Sequence, residues 1–190
     1  MNRLLVIIFL VISGKSFAQP DSIRFYTLSE LVGANPDTIC ALSFRKQKLT
    51  VLPEQLFQYR NLKYLDLEKN AISDLSRLGE LNQLVYLNLG KNNLDNFPVC
   101  VCQMPFLEEL VVSRNFFSYV PPCIEFCSQL RKIDFWETPV SSLPIEMQSL
   151  KMLEFMDFSG VRMNPRTQKI LKQQYPHVRM SLDAPCDCLD

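Results

Sequence analysis

An apolar period of about 23 residues runs through most of this 190-residue chain, and it constrains the fold more than any other feature. Ile39, Leu42, Phe44, Gln47 and Leu49 trace the pattern LxxLxLxxNxL, which returns as Leu62, Leu65, Leu67, Asn70 and Ile72. Further copies are Leu84, Leu87, Leu89, Asn92, Leu94 and Leu107, Leu110, Val112, Asn115, Phe117. Two degraded copies follow, Leu130, Ile133, Phe135, Thr138, Val140 and Leu153, Met156, Phe158, Val161, Met163. The copies start at 39, 62, 84, 107, 130 and 153, so the steps are 23, 22, 23, 23 and 23 residues. Chance does not hold phase over six copies.

Each motif position has a physical reading. Strand residues alternate between faces, so the fourth and sixth positions point inward and the third and fifth outward. One coil cannot bury its own apolar side. Stacked coils make a continuous core whose ends require caps. Asn70, Asn92 and Asn115 fall where the chain leaves the strand, and their amides suit backbone groups that would otherwise be buried unpaired. Gln47 and Thr138 fill that role in part, and Val161 cannot, which predicts that the ladder of asparagines ends there.

The second half of the unit carries Leu52-Pro53, Phe97-Pro98, Val120-Pro121 and Leu143-Pro144 in register, with Leu75-Ser76 in the 22-residue unit. With the strand motif, these residues make the chain resemble the leucine-rich repeat proteins. The resemblance implies an α/β fold, a right-handed leucine-rich repeat solenoid forming a short arc with a parallel concave sheet. It implies no particular function.

Both ends carry cap signals. Thr27 and Glu30 form a T-x-x-E capping box before an apolar helix containing Leu28, Leu31 and Val32, closed by Gly33 to Asn35 and Pro36. At the other end Asn164 reads as an N-cap with Pro165 at the first helical position, and Ile170 and Leu171 share a face. Tyr175-Pro176 stops that helix, and Val178, Met180 and Leu182 alternate as a strand. The expected organisation is a signal peptide over 1–18, an N-terminal helical cap over 19–38, six repeats over 39–163, a helix-strand cap over 164–183 and a cysteine-containing tail over 184–190.

Arg3 followed by the apolar run Leu4 to Ile12 and the exit Ser16-Phe17-Ala18 reads as a cleavable secretory signal, with Gln19 as the mature start. Nine apolar residues are too few for a bilayer core, which takes about 20 in a helix. An exported chain is expected, periplasmic, at the cell surface or secreted, and the lack of an N-x-[ST] acceptor leans toward a bacterial one. No integral membrane segment follows. The 20 basic and 20 acidic residues give no case for a nucleic-acid partner. A single histidine, His177, removes most imidazole-based chemistry, and phosphate-loop and hydrolase motifs do not occur. No enzyme, cofactor or metal is expected.

Seven cysteines lie beyond the signal, so in an oxidising compartment one lacks an intramolecular partner. Cys100 and Cys123 each stand sixteen residues beyond the start of their unit, on adjacent coils, and are the disulfide candidates. Cys127 shares the phase of Tyr59 and Leu150 and reads as a buried core thiol. Cys186 and Cys188 form a C-x-C tail with too few ligands for zinc, and Asp187 between them raises thiol pKa values rather than lowering them.

Function then falls to the outward strand columns. Tyr64, Tyr86, Trp136 and Phe155 supply aromatic anchors, and Asp66, Asn88 and Asp134 supply polar contacts between them. Lys69, Lys91 and Arg114 continue a basic rail that begins at Lys46 and suits steering of a polar partner. The expected function is non-enzymatic macromolecular recognition, with a protein as partner and its identity and the oligomeric state open. The alternatives are carbohydrate or cell-surface adhesion through the same aromatics, and a thiol-active or metal-binding role for Cys186 and Cys188.

Overall fold

The computed structural model of the protein describes residues 23–31 and 33–186. The signal segment, Val32, the Leu28 side chain, Asp187 and Cys188 lie outside the described residues. Six strands follow the predicted period: β1 (Ala41–Ser43), β2 (Tyr64–Asp66), β3 (Tyr86–Asn88), β4 (Glu109–Val111), β5 (Lys132–Asp134) and β6 (Phe155–Phe158). β7 (Arg179–Leu182) completes one seven-stranded sheet in sequence order. All pairs are parallel, and equivalent motif positions face one another, as in Tyr64 with Tyr86 and Leu65 with Leu87.

The core is the stack of inward positions. Leu42, Leu65, Leu87, Leu110, Ile133 and Met156 at the fourth position are fully buried, as are Leu67, Leu89, Val112, Phe135 and Phe158 at the sixth. The return limbs are five-residue 3-10 helices, Glu54–Gln58, Ser76–Glu80, Val99–Gln103, Pro122–Phe126 and Ile145–Ser149. Each buries its third residue, Leu56, Leu78, Val101, Ile124 or Met147, in the core. Extended Pro53, Pro98, Pro121 and Pro144 precede four of them. Proline fixes φ and ends the preceding segment without leaving a backbone donor unpaired. In the short unit Leu75 takes that place, with φ −115° and ψ 9°.

The asparagine amides join neighbouring coils. Asn92 Nδ2 donates to Leu89 O in its own coil at 2.9 Å and to Leu67 O in the preceding one at 3.1 Å, while Oδ1 accepts from Ile72 N at 3.4 Å. Asn115 repeats this with Val112 O, Leu89 O and Leu94 N. Asn70 bonds to Leu67 O, Phe44 O, Leu49 N and Gln47 N. Thr138 makes one such bond, from Oγ1 to Phe135 O at 2.7 Å, within its own coil.

The cap at the start is a 3-10 turn, Leu28–Leu31, in place of a regular α-helix. Glu30 Oε2 reaches back to accept from Thr27 N and Thr27 Oγ1. At the far end α1 (Pro165–Gln174) starts at Asn164, whose side chain accepts from Thr167 N at 2.8 Å. β7 then pairs with β6.

The disulfide joins Cys102 to Cys123, with Cα atoms 5.6 Å apart, and not Cys100 to Cys123. The helix geometry explains the correction. In a 3-10 helix, residues two apart point to different flanks. The second residue points back along the solenoid, as Arg77 does in bonding Glu54 at 2.6 Å. The fourth points forward, since a Cβ on Gly79 would run into Gln103 of the next coil. Cys102 is a fourth residue and Cys123 a second, so the two meet. Cys100 points away from Cys123 and is a buried free thiol, as is Cys127, which donates to Val101 O at 3.2 Å. Burial pushes both thiols up to about 12.

Peptide mapping without reduction is expected to recover Cys102 linked to Cys123, and recovery of a Cys100 link instead would refute the register argued above. In urea melts Asn92→Ala is expected to cost about 2–4 kcal/mol, because it strands several buried backbone groups, against about 1 kcal/mol for Thr138→Ala. Equal losses would mean that the inter-coil bonds contribute nothing beyond the local turn.

Candidate recognition face

The outward residues of the sheet divide into a structural column and an accessible one. At the fifth motif position Asp66, Asn88 and Asp134 are almost wholly buried. Each spends a side-chain oxygen on the backbone N–H two residues on: Asp66 on Glu68 at 2.9 Å, Asn88 on Gly90 at 2.9 Å, Asp134 on Trp136 at 2.7 Å. Asp157 does the same for Ser159, and Ser43 for Arg45. This Asx-type bond holds the chain as it leaves the strand. The expectation that Asp66, Asn88 and Asp134 offer polar contacts to a partner is therefore corrected. The recurrence of Ser, Asp or Asn down that column is the sequence signal for the role.

Burial, the largest influence, raises the Asp134 carboxyl to about 6, against the lowering effect of the Trp136 and Ser113 hydrogen bonds.

The third column is mixed. Tyr64, Glu109, Lys132 and Phe155 are half-buried, whereas Tyr86 is only 1% exposed, which removes it from the accessible set. Phe25, ahead of the repeats, lies edge-on to Tyr64 at 6.5 Å and to Tyr86 at 6.2 Å. Burial raises the pKa of both tyrosines. Lys132 bonds Glu109 at 2.5 Å, and Arg179 stands 4.9 Å over the Phe155 ring.

The accessible cluster centres on Trp136 in the seventh column. The two preceding units carry Gly90 and Ser113 there, so no large side chain of that column separates Trp136 from the rail. Lys91 Nζ lies 5.7 Å and Arg114 Cζ 5.3 Å from the centre of its ring. Both distances are within cation–π range. Lys69, Lys91 and Arg114 sit at φ 54° to 60°, together with Lys46 at the same motif position. L-residues reach this left-handed region at a cost, and Gly160 alone in the column is suited to it. The turn therefore sets the direction of each basic side chain.

Glu68 joins the rail by pairing with Arg45 at 2.6 Å, Lys91 at 3.7 Å and Lys69 at 3.8 Å. Arg114 pairs with Glu137 at 3.1 Å. Beside Trp136 an open groove of about 710 Å³ is lined by residues including Lys91, Arg114, Glu137, Pro139 and Phe116. Phe116 is 62% exposed and was not among the expected site residues. Its signal is an aromatic in a column otherwise filled by Lys48, Ala71, Asn93, Pro139 and Arg162. Phe25 lies outside the repeats, where no period could place it.

Cys186 is disulfide-bonded, and among the described residues no group of three His, Cys, Asp or Glu is placed to hold a metal.

The Asp134 carboxyl predicts a pH effect with a definite sign. Its folded pKa stands above the unfolded value of about 3.9, so folding takes up a proton between about pH 4 and 6. Stability from this group is full below pH 4 and falls as pH rises through 6, by about 2–3 kcal/mol in all. Asp134→Asn keeps the acceptor for Trp136 N and removes the charge. Its urea midpoint is expected to match that of the parent at pH 4 and exceed it at pH 7. A constant difference between the two chains across that range would rule the assignment out.

Three comparisons bear on this architecture. A family model described as Leucine rich repeat matches residues 41–94. The leucine-rich repeat and calponin homology domain-containing protein 1 of Mus musculus is 33% identical over 99 residues, 52% of this chain and 14% of that protein. The volume-regulated anion channel subunit LRRC8A of Rattus norvegicus is 38% identical over 83 residues, 42% of this chain and 10% of that protein. The chain thus spans about a seventh or less of the length of these relatives. Among solved structures, an LRR protein of Leptospira interrogans superposes with a TM-score of 0.60 at 19% identity, over 71% of this chain and 41% of that one. Internalin C2 of Listeria monocytogenes superposes with 0.57 at 22%, over 66% and 53%. These structural likenesses show the fold. The chain thus carries leucine-rich repeats, matched in sequence over residues 41–94, and has the fold of the leucine-rich repeat proteins.

Proposed function

We propose that the chain is a non-catalytic recognition module that binds a protein partner across the open face of its sheet, centred on Trp136, Lys91, Arg114 and Phe116. The observation that carries this reading is the gathering of two cations from successive coils over one tryptophan, beside a groove with an exposed phenylalanine. Aromatic and arginine side chains supply most of the binding energy at protein interfaces. Leucine-rich repeat proteins are typically non-enzymatic binding scaffolds, and no catalytic family is indicated by the comparisons. Carbohydrate adhesion requires aromatic faces free to stack on sugar rings. Lys91 and Arg114 stand over Trp136, and Phe25 lies against Tyr64 and Tyr86, so the arrangement favours a protein.

The layout of residues 1–18 supports export of this module. No helix among the described residues is long and apolar enough to cross a membrane.

Trp136 is the only tryptophan and therefore reports on its own surroundings. Affinity capture with the parent chain, beside a folded Trp136→Ala/Arg114→Ala variant, is expected to retain a protein that the variant holds at least tenfold more weakly. Adding that protein to the parent is expected to shift tryptophan emission. Equal capture by the two chains, or an emission unchanged on binding, would remove the partner from this face.

A further inference from the structure

The Tyr64–Tyr86 pair is not open, because the chain covers it with its own N-terminal segment. The hold is slight. Residues 23–26 join the sheet through one bridge, Tyr26 to Leu42, made of Tyr26 N to Ala41 O at 3.2 Å and Ser43 N to Tyr26 O at 2.9 Å. Arg24 packs over Tyr26 and pairs with Glu30 at 3.6 Å, so its contacts stay within the segment and the adjoining turn. Phe25 projects onto the tyrosines.

The fit is also incomplete. Tyr86 Oη is buried without a hydrogen bond, the one such side-chain atom among the described residues. The neighbouring Asn88 amide influences the hydroxyl without the geometry of a bond. Buried hydroxyls nearly always find a partner, and an orphan carries an uncompensated desolvation cost. Phe25 has no polar atom to relieve it.

A second feature concerns the edge. β1 is the first strand of the sheet, and among the described residues its outer edge is met only by the short bridge at Tyr26. Exposed strand edges are templates on which an extended segment can add by backbone pairing, with side-chain pockets supplying the specificity.

We propose that residues 23–26 are a resident ligand of an aromatic site built by Tyr64 and Tyr86, and that the site takes an extended protein segment carrying tyrosine, which enters along β1 and displaces them. The incoming ring replaces Phe25, and its hydroxyl supplies the partner that Tyr86 Oη lacks. The inference rests on the reading of the open face as a protein-binding surface, and it adds a covered half whose occupant is part of the chain.

The test uses fluorescein-labelled peptides with the sequence of residues 21–28, one unchanged and one carrying Phe25→Tyr. They are titrated onto the parent chain, onto Phe25→Ala, and onto Phe25→Ala/Tyr86→Phe. The unchanged peptide is expected to bind Phe25→Ala at least tenfold more tightly than the parent, because the variant empties the aromatic site and leaves the Tyr26 bridge to be displaced. The tyrosine peptide is expected to bind Phe25→Ala more tightly again, an advantage that Tyr86→Phe removes. Equal binding to parent and Phe25→Ala, no binding to either, or a tyrosine preference that survives Tyr86→Phe would each overturn the proposal.

Hydrogen exchange on the parent gives a measure that does not depend on a variant folding. The Ser43 amide, bonded to Tyr26 O, is expected to exchange at least tenfold faster than the Leu67 amide, bonded to Asn88 O. Equal rates would mean that the segment belongs to the rigid fold, which also overturns the proposal. Trp136→Ala should leave peptide binding unchanged while weakening partner capture, so failure of this inference and failure of the wider reading give different results.

Discussion

Stacking parallel coils creates an obligation at the end of every strand. The chain turns there with carbonyls and amides facing the interior, and water cannot reach them. In the second, third and fourth coils one asparagine discharges it, Asn70, Asn92 or Asn115, bonding to its own turn and to the coil before. The requirement fixes the length of the repeat, because the amide must meet the same backbone groups in every unit. It also joins the first four coils in order, since each of these three asparagines bonds to its predecessor. The apolar core supplies the bulk of the stabilisation, but apolar burial is not directional. The amides specify which surfaces meet.

The other recurring polar group, the oxygen at the fifth motif position, acts one step earlier in the same turn. Asp66, Asn88, Asp134 and Asp157 hold the N–H two residues on, and the eighth residue then enters the left-handed region. Two consecutive local constraints thus aim Lys69 and Lys91, while Arg114, whose coil carries Val111 at the fifth position, is aimed by its left-handed backbone. The recognition face is therefore oriented by the turn, and Trp136 joins it because Asp134 holds its backbone.

Periodic features were legible in the sequence: the strands, the inward columns, the asparagines, the buried phase of Cys127 and the N-cap at Asn164. Each repeats, or follows a local rule, and so needs no knowledge of distant contacts. The features that escaped arise between columns or outside the repeats. Alternation alone makes Asp66 and Asp134 outward residues. It does not reveal that the two flanking columns and the turn bury them. Sixteen-residue phase makes Cys100 and Cys123 equivalent. In a narrow helix, however, equivalent residues point the same way along the solenoid, and a link between coils needs residues that point oppositely. Phe25 precedes the first repeat, and only the completed sheet shows what it covers.

The Cys102 to Cys123 link has a further consequence when set beside the asparagines. The ladder is strong through Asn115 and fades at Thr138 and Val161. The covalent staple ties the third unit to the fourth, at the last coil that the amides grip firmly. Unwinding from the C-terminal cap would have to cross this link before it reached the coils joined by asparagines. The link thus stands near the boundary between coils joined by asparagine amides and coils without them, with Lys91 and Arg114 in the first group and Trp136 in the second.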